Sequence, residues 1–91
     1  MAQIQNWINN QVSHSASTRH NDVTNPATGE ISKTVVLSSV DDVNTAVAAA
    51  HAAFPAWRDT PPLRRARIMM KFRELLEVNR DTLAALITEE H

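Results

Sequence analysis

The stretch "TNPATGE", Thr24–Glu30, contains Gly29, the only glycine among 91 residues. Asn25 favours a turn because its side chain can accept a hydrogen bond from the backbone two residues further on. Pro26 fixes φ for the first corner of a type I turn. Gly29 can take a positive φ without a Cβ clash, which closes a four-residue loop. The stretch therefore predicts a tight hairpin, and by itself it indicates no function.

Strands are predicted on both sides of this turn. Ile31–Leu37 (ISKTVVL) is rich in β-branched residues, and Asp22–Thr24 forms the short arm before the turn. A second hairpin is predicted nearer the N-terminus, with Asn9-Asn10 in a type I′ turn, because Asn tolerates positive φ. Its second strand covers Gln11–Ser15, and its first strand contains Ile4, Trp7 and Ile8. Residues 1–38 are therefore predicted to be a β-hairpin region.

The apolar residues take up a helical period after Ser39. Ser39 can cap a helix N-terminus, and Asp41 and Asp42 lie in its first turn, where carboxylates are favoured by the helix dipole. Pro55 is expected to end or kink this helix. Its apolar face has spacings of three and four residues and consists of Val40, Val43, Val47, Ala50 and Phe54.

A second helix is predicted to start at Thr60-Pro61-Pro62, with Thr60 as N-cap and Pro61 at the first helical position. Asn79 is expected to end it and to cap a third helix. The third helix is expected to be truncated, because Thr88–His91 contains no C-terminal cap. Residues 39–91 are therefore predicted to be a helical region. The apolar stripes of these two helices are Ile68, Phe72, Leu75 and Leu76, and then Leu83, Leu86 and Ile87.

The predicted fold class is α/β, with short β-hairpins followed by about three amphipathic helices. A large apolar side chain that stays in water loses about 1.5–3 kcal/mol of burial free energy. The net free energy of unfolding of a protein is only roughly 5–15 kcal/mol. Either the helices cover one another, or the rest of a larger protein covers them. The second interpretation is favoured, because the sequence offers no obvious sheet for these helices.

Composition excludes several classes of function. Nine Lys and Arg residues balance ten Asp and Glu residues, so no binding to nucleic acid or to an acidic membrane surface is expected. The absence of cysteine excludes a disulfide, a thiolate zinc site and a cysteine nucleophile within this chain. Met1–Asn10 does not have the pattern of a signal peptide, and no run of about 18 apolar residues occurs. A cytoplasmic location is expected.

The titratable residues do not show the spacing of an active site. The adjacent carboxylates Asp41-Asp42 and Glu89-Glu90 point apart on a helix, so neither pair is predicted to be catalytic. One glycine cannot form a glycine-rich phosphate loop. No metal site is expected, because no HxxxH or HExxH pair is formed by His14, His20, His51 and His91.

Arginines cluster near the predicted start of the second helix. Arg64-Arg65-Ala66-Arg67 could hold a phosphate there. The favoured interpretation is a solvated helix flank with acidic neighbours, which are Asp59, Glu74 and Glu77.

The order of these segments resembles the N-terminal portion of an aldehyde dehydrogenase over essentially all 91 residues. Asn25–Glu30 (NPATGE) is common across that superfamily. A narrower combination is AAFPAW (Ala52–Trp57), TPPLRRARI (Thr60–Ile68) and LITEEH (Leu86–His91). It is most similar to the CoA-acylating methylmalonate- and malonate-semialdehyde dehydrogenases.

The resemblance implies an NAD-dependent oxidoreductase. In this family a cysteine thiolate attacks the aldehyde, hydride passes to NAD, and the acylating subgroup transfers the acyl group to coenzyme A with loss of CO2. Propionyl-CoA or acetyl-CoA would be the product, in valine, β-alanine or inositol breakdown. The resemblance also implies a homo-oligomer. It makes this portion the outer layer of the NAD-binding domain, with a role in scaffolding and subunit contact.

No catalytic, cofactor-binding or metal-binding residue is carried over to this chain. The family's catalytic cysteine, general-base glutamate, oxyanion-hole asparagine and nucleotide loop all lie C-terminal to the stretch that this chain resembles. The chain alone is therefore expected to be inactive and to bind neither NAD nor coenzyme A. Some family members hold a monovalent cation through the backbone carbonyl that corresponds to Thr24, but the other ligands lie elsewhere, so Thr24 is not predicted as a site.

Three alternatives stay open. The chain could belong to a non-acylating aldehyde dehydrogenase. It could be a free-standing helical module that binds a partner through an exposed apolar face. It could also bind phosphate or coenzyme A through Arg64, Arg65 and Arg67, in which case binding would be sensitive to salt.

Overall fold

The computed structural model describes residues 2–91. Over these residues short strands precede three helices, as the sequence predicts for an α/β chain. The strands are β1 (Ala2–Ile4), β2 (Asn6–Ile8), β3 (Gln11–Ser13), β4 (His20–Thr24) and β5 (Ile31–Val36). The helices are α1 (Val40–Asp59), α2 (Pro62–Val78) and α3 (Arg80–Glu90).

The turn around Gly29 has the predicted geometry. The Asn25 N–H donates to the Glu30 carbonyl at 2.9 Å, which encloses a four-residue loop. The Asn25 side-chain oxygen accepts from the Ala27 N–H at 2.9 Å. Gly29 has a φ of 73°, which lies in the left-handed region that glycine adopts without a steric penalty. The turn joins β4 and β5 as an antiparallel pair.

The N-terminal hairpin consists of β2 and β3, which are antiparallel. Asn9 and Asn10 have φ values of 54° and 62°, so the predicted type I′ turn is confirmed. The predicted place of Ile4 in this hairpin is wrong. Ile4 belongs to β1, which runs parallel to β5 and pairs Ile4 with Val35. Parallel partners are far apart in sequence and have no connecting turn of their own, so the residues give no local signal for this pairing.

Helix α1 begins as predicted. Ser39 caps it in a capping box, in which the Asp42 N–H donates to Ser39 Oγ at 3.3 Å and the Ser39 N–H donates to Asp42 Oδ2 at 2.8 Å. Pro55 does not end the helix, which continues to Asp59. Proline removes a single backbone donor, and the following turn is closed by Thr60, whose N–H donates to the Trp57 carbonyl at 3.1 Å.

Helix α2 begins one residue later than predicted. Thr60 belongs to the end of α1, and Pro62 rather than Pro61 occupies the first helical position. The reason is that a residue before proline is disfavoured in the helical region. Pro61 precedes Pro62 and accordingly has φ −56° and ψ 145°.

Asn79 separates α2 from α3, as predicted, but its side chain does not cap α3. Its Nδ2 instead donates to the Leu75 carbonyl at 2.8 Å, which gives one of the last carbonyl groups of α2 a hydrogen-bond donor. None of the helices over residues 2–91 combines the length and the apolarity needed to cross a bilayer.

The described residues form a flat and extended layer. Their principal extents are 48 × 34 × 15 Å, and the radius of gyration is 16.9 Å. A compact domain of this length would have a radius of gyration of about 12 Å. Within residues 2–91 the one buried hydrophobic side chain is Val36 on the central strand β5, at 6% exposure. The strands therefore supply a very small core, and the helices extend away from it.

Candidate interaction surface

The most prominent feature of the surface is a set of apolar stripes that the described residues leave uncovered. The stripes are the predicted helical faces, with Phe54 on α1 at 54% exposure and Phe72 on α2 at 53%. A side chain that is about half exposed loses about 1 kcal/mol of burial free energy. The combined loss of several such side chains equals the free energy of unfolding of a small domain. The exposed members of the stripes are Val40, Val43, Val47, Phe54, Ile68, Phe72, Leu75, Leu76, Leu83, Leu86 and Ile87.

The sequence left two ways to cover these stripes: the helices could cover one another, or further protein could cover them. The exposed fractions rule out the first way within residues 2–91. Within residues 2–91 the three helices do not cover one another, since Leu75 and Leu86 stay 48% and 40% exposed. An apolar surface of this extent marks a site of contact with further protein.

The N-terminal hairpin is tied to the start of α1 by polar side chains. Asn6 Nδ2 donates to Ser38 Oγ at 2.9 Å. The Ser15 hydroxyl donates to the same Asp42 carboxylate that completes the capping box. This hydrogen bond from Ser15, followed by that from the Ser39 backbone, holds the pKa of Asp42 below its usual value. Asp42 is therefore an anchor that joins three segments, and nothing in its surroundings suits it to act as a base.

Two adjoining hollows lie between this hairpin and α1, with volumes of about 230 and 360 Å³. Both are bordered by Trp7, Ile8 and Ala46. Trp7 is 69% exposed. The small alanine side chains of α1 leave room here for a neighbouring element to approach closely.

The sheet and the last helix are joined by Lys33. Its Nζ lies 2.6 Å from Glu90 Oε1 and 3.9 Å from Glu89 Oε1. The hydrogen bond that Lys33 Nζ donates to the Glu90 carboxylate is the main cause that raises the pKa of Lys33 above its usual value. Because both acids lie in the last turn of α3, where the helix dipole disfavours carboxylates, the lysine also compensates that end of the helix.

The predicted arginine cluster lies on the first two turns of α2, where the first turn holds no acidic residue. Over residues 2–91 no ion pair is formed by Arg64, Arg65 or Arg67, since Asp59 pairs with Arg58 and Glu74 with Lys71. The Nε atom of Arg65 is buried, and no acceptor for it lies within the described residues. The acidic neighbours suggested by the sequence therefore do not neutralise this cluster.

The four histidines lie apart, just after β3, in β4, in α1 and after α3, and all are exposed. Among residues 2–91 no group of three or more His, Asp or Glu side chains is placed to hold a metal ion. The described side chains offer contact surfaces and anchors. That this chain holds no catalytic, cofactor-binding or metal-binding residue stays a prediction from the sequence.

The profile of the aldehyde dehydrogenase family matches residues 12–91, so the chain belongs to the aldehyde dehydrogenase family. The chain is 48% identical over 73 residues to a malonate-semialdehyde dehydrogenase of Pseudomonas aeruginosa, a match that covers 80% of this chain and 15% of that protein. It is 44% identical over 87 residues to the mitochondrial acylating methylmalonate-semialdehyde dehydrogenase of Arabidopsis thaliana, covering 96% of this chain and 14% of that protein.

Two solved structures have the same fold over 100% of this chain and 18% of their own. One is a methylmalonate-semialdehyde dehydrogenase from Oceanimonas doudoroffii, with a TM-score of 0.94 and 50% identity. The other comes from Sinorhizobium meliloti, is described as a methylmalonate-semialdehyde dehydrogenase complexed with NAD, and has a TM-score of 0.96 and 42% identity. These findings confirm the resemblance and the fold class. The chain spans less than a fifth of the length of the proteins it matches.

Proposed function

We propose that this chain is the N-terminal scaffold of an NAD-dependent, CoA-acylating methylmalonate- or malonate-semialdehyde dehydrogenase. The observation that carries the proposal is the uncovered apolar stripes of a chain that matches 14–18% of the length of enzymes with these names. A layer that buries one side chain within residues 2–91 needs the remainder of such a fold to be stable. The chain itself supplies no chemistry in this proposal.

The role of the chain is to present three helices to the rest of the NAD-binding domain. The Gly29 turn sets the pairing of β4 with β5, and Lys33 on β5 then holds α3 against the sheet. The capping box and Ser15 fix the start of α1 in the same way. The apolar stripes would pack on the nucleotide-binding sheet, which would bind NAD with residues outside this chain.

Support for the finer parts of the proposal comes from relatives. NAD use is supported by the S. meliloti neighbour, which is described as complexed with NAD. Coenzyme A as acyl acceptor is supported by the plant relative, which is named as an acylating enzyme. Valine catabolism and a homo-oligomer follow from the same subgroup. The cytoplasmic location stays a prediction, and the name of the plant relative places that protein in mitochondria.

The activity is tested on the full-length protein that contains this chain. It is expected to reduce NAD with methylmalonate or malonate semialdehyde only when coenzyme A is present, and to form propionyl-CoA or acetyl-CoA. NADH absorbance and the acyl-CoA product are measured together. NADH formation that is independent of coenzyme A, with a free acid as product, would show the non-acylating alternative to be right.

The scaffold role is tested on the isolated 91-residue chain. Far-ultraviolet circular dichroism is expected to show helix that melts without cooperativity, beside strong ANS fluorescence from the uncovered stripes. A sharp cooperative melt without ANS binding would mean that the chain buries its own core. The free-standing interaction module would then replace the scaffold.

A further inference from the structure

We propose that Arg65 forms a buried ion pair with a carboxylate in the part of the fold that lies outside this chain. The inference rests on the proposed function, because it needs the remainder of the enzyme to be present. The central observation is that the Nε atom of Arg65 is already buried and that residues 2–91 provide no acceptor for it. A buried donor without a partner is destabilising, and native proteins satisfy nearly all of them.

The surroundings of Arg65 favour an anion as the partner. Arg64, Arg65 and Arg67 place three positive charges on the first two turns of α2. The positive end of the helix dipole lies there too, so cations are disfavoured unless a negative group compensates them. The first turn of α2 contains no acidic residue, and the nearest acids in sequence are paired elsewhere.

A carboxylate fits this position better than a free phosphate does. Arg65 lies on the same helix as the exposed apolar residues Ile68 and Phe72, which would pack against the rest of the fold. That packing would bring protein side chains against Arg65 and remove water from its guanidinium group. A planar guanidinium binds a carboxylate through two parallel hydrogen bonds, and such a pair is worth most when water is excluded.

The experiment compares Arg65→Met with Arg73→Met in the full-length protein. Arg73 is a matched control, because it is an exposed arginine of the same helix. At pH 7 Arg65→Met is expected to lower the unfolding temperature by about 5 °C, since it leaves a carboxylate unpaired, whereas Arg73→Met changes it by about 1 °C at most. Arg65→Lys keeps the charge, loses the paired geometry and is expected to show a smaller deficit, which covers the case in which Arg65→Met fails to fold.

The pH dependence identifies the partner. A carboxylate paired with Arg65 has a lowered folded-state pKa, so the pair contributes stability above the usual carboxylate pKa and loses it as the pH falls. The deficit of either Arg65 variant should therefore shrink towards acidic pH. A deficit that is independent of pH would overturn the proposal, because it would indicate a backbone carbonyl or packing.

A phosphate ligand is the other outcome that would overturn it. In that case inorganic phosphate or coenzyme A would raise the unfolding temperature of the wild type but not of Arg65→Met, and the deficit would be absent in protein dialysed free of both. Dehydrogenase activity is measured on the same samples. A wild type without activity but with a pH-dependent deficit would contradict the proposed function and leave the Arg65 pair standing.

Discussion

The strands and the helices of this chain are held in place by different means. The strands are fixed within the chain, by the Gly29 turn, by the pairing of β5 with two neighbours and by the burial of Val36. Helix α1 has a capping box at its start, but all three helices leave their apolar stripes in water. The comparison teaches that, within residues 2–91, contacts of the chain itself fix the strand region, whereas nothing covers the apolar stripes of the helical region. In the proposed scaffold the remainder of the fold covers them.

The largest effect is expected where the helical region should depend on the rest of the fold. Phe72→Ala in the full-length protein is expected to destabilise it by about 3–5 kcal/mol, because a covered aromatic side chain would leave a cavity. The same change in the isolated chain should alter its helical circular dichroism very little, since Phe72 is 53% exposed there. Denaturant unfolding of the full-length variant measures the first value.

Arg73→Ala, next to Phe72 on the same helix, is the control and should stay within about 0.5 kcal/mol of the wild type. Equal and small effects of both substitutions in the full-length protein would mean that no further protein covers the apolar stripe of α2. The proposal that the helices, unlike the strands, are held by the rest of the fold would then be wrong.

The next largest effect concerns the strand region. Gly29→Val is expected to destabilise the full-length protein by about 1–2 kcal/mol, because a β-branched residue is strained at a φ of 73°. The strain is purely conformational, since a Cβ at this position would meet no atom within 4 Å. Ala27→Val, in the same exposed turn, serves as the control. An unchanged unfolding midpoint for Gly29→Val would contradict the role given to this turn.

A smaller effect is expected at the boundary between the two regions. Ser39→Ala removes the hydroxyl that accepts from the Asp42 N–H and should destabilise the full-length protein by about 1 kcal/mol. Ser39→Asp is a matched variant, because aspartate is also a good N-cap, and it should recover most of the loss. Thermal unfolding in both variants measures the difference. Failure of Ser39→Asp to recover stability would indicate that the serine acts through something other than the cap.

Local features of this fold could be predicted from the residues, and distant ones could not. The two turns and the Ser39 cap were predicted because each depends on a few adjacent side chains. The parallel pairing of Ile4 with Val35 was missed because it joins residues without a shared turn. Of the two effects expected of Pro55, an end of α1 is ruled out because the helix continues to Asp59, since a single lost donor does not outweigh the hydrogen bonds on either side.

The interaction surface could be predicted only in part. Its apolar stripes follow directly from helical spacing, and the exposed Phe54 and Phe72 are where the sequence placed them. The anchors between elements could not be foreseen, because Lys33 and Glu90 are far apart in sequence and meet only when α3 returns to the sheet. The unpartnered Nε of Arg65 is likewise visible only in the folded chain.

The smallest effect is expected at Lys33, whose two ion pairs, with Glu89 and Glu90, are the ones within residues 2–91 that join a strand to a helix. Lys33→Met should lower the unfolding temperature of the full-length protein more than Lys71→Met does, because Lys71 pairs with Glu74 on one exposed helical surface.

Because the pKa of Lys33 is raised, the stabilisation that its charge contributes is complete below the usual lysine value of 10.5 and is lost as the pH rises through the folded-state pKa. The difference between wild type and Lys33→Met should therefore disappear in strongly alkaline buffer and persist at neutral pH. Identical melting of Lys33→Met and Lys71→Met at pH 7 would mean that α3 is held on the sheet by the rest of the fold alone, and the strand region would then have no direct hold on the helices.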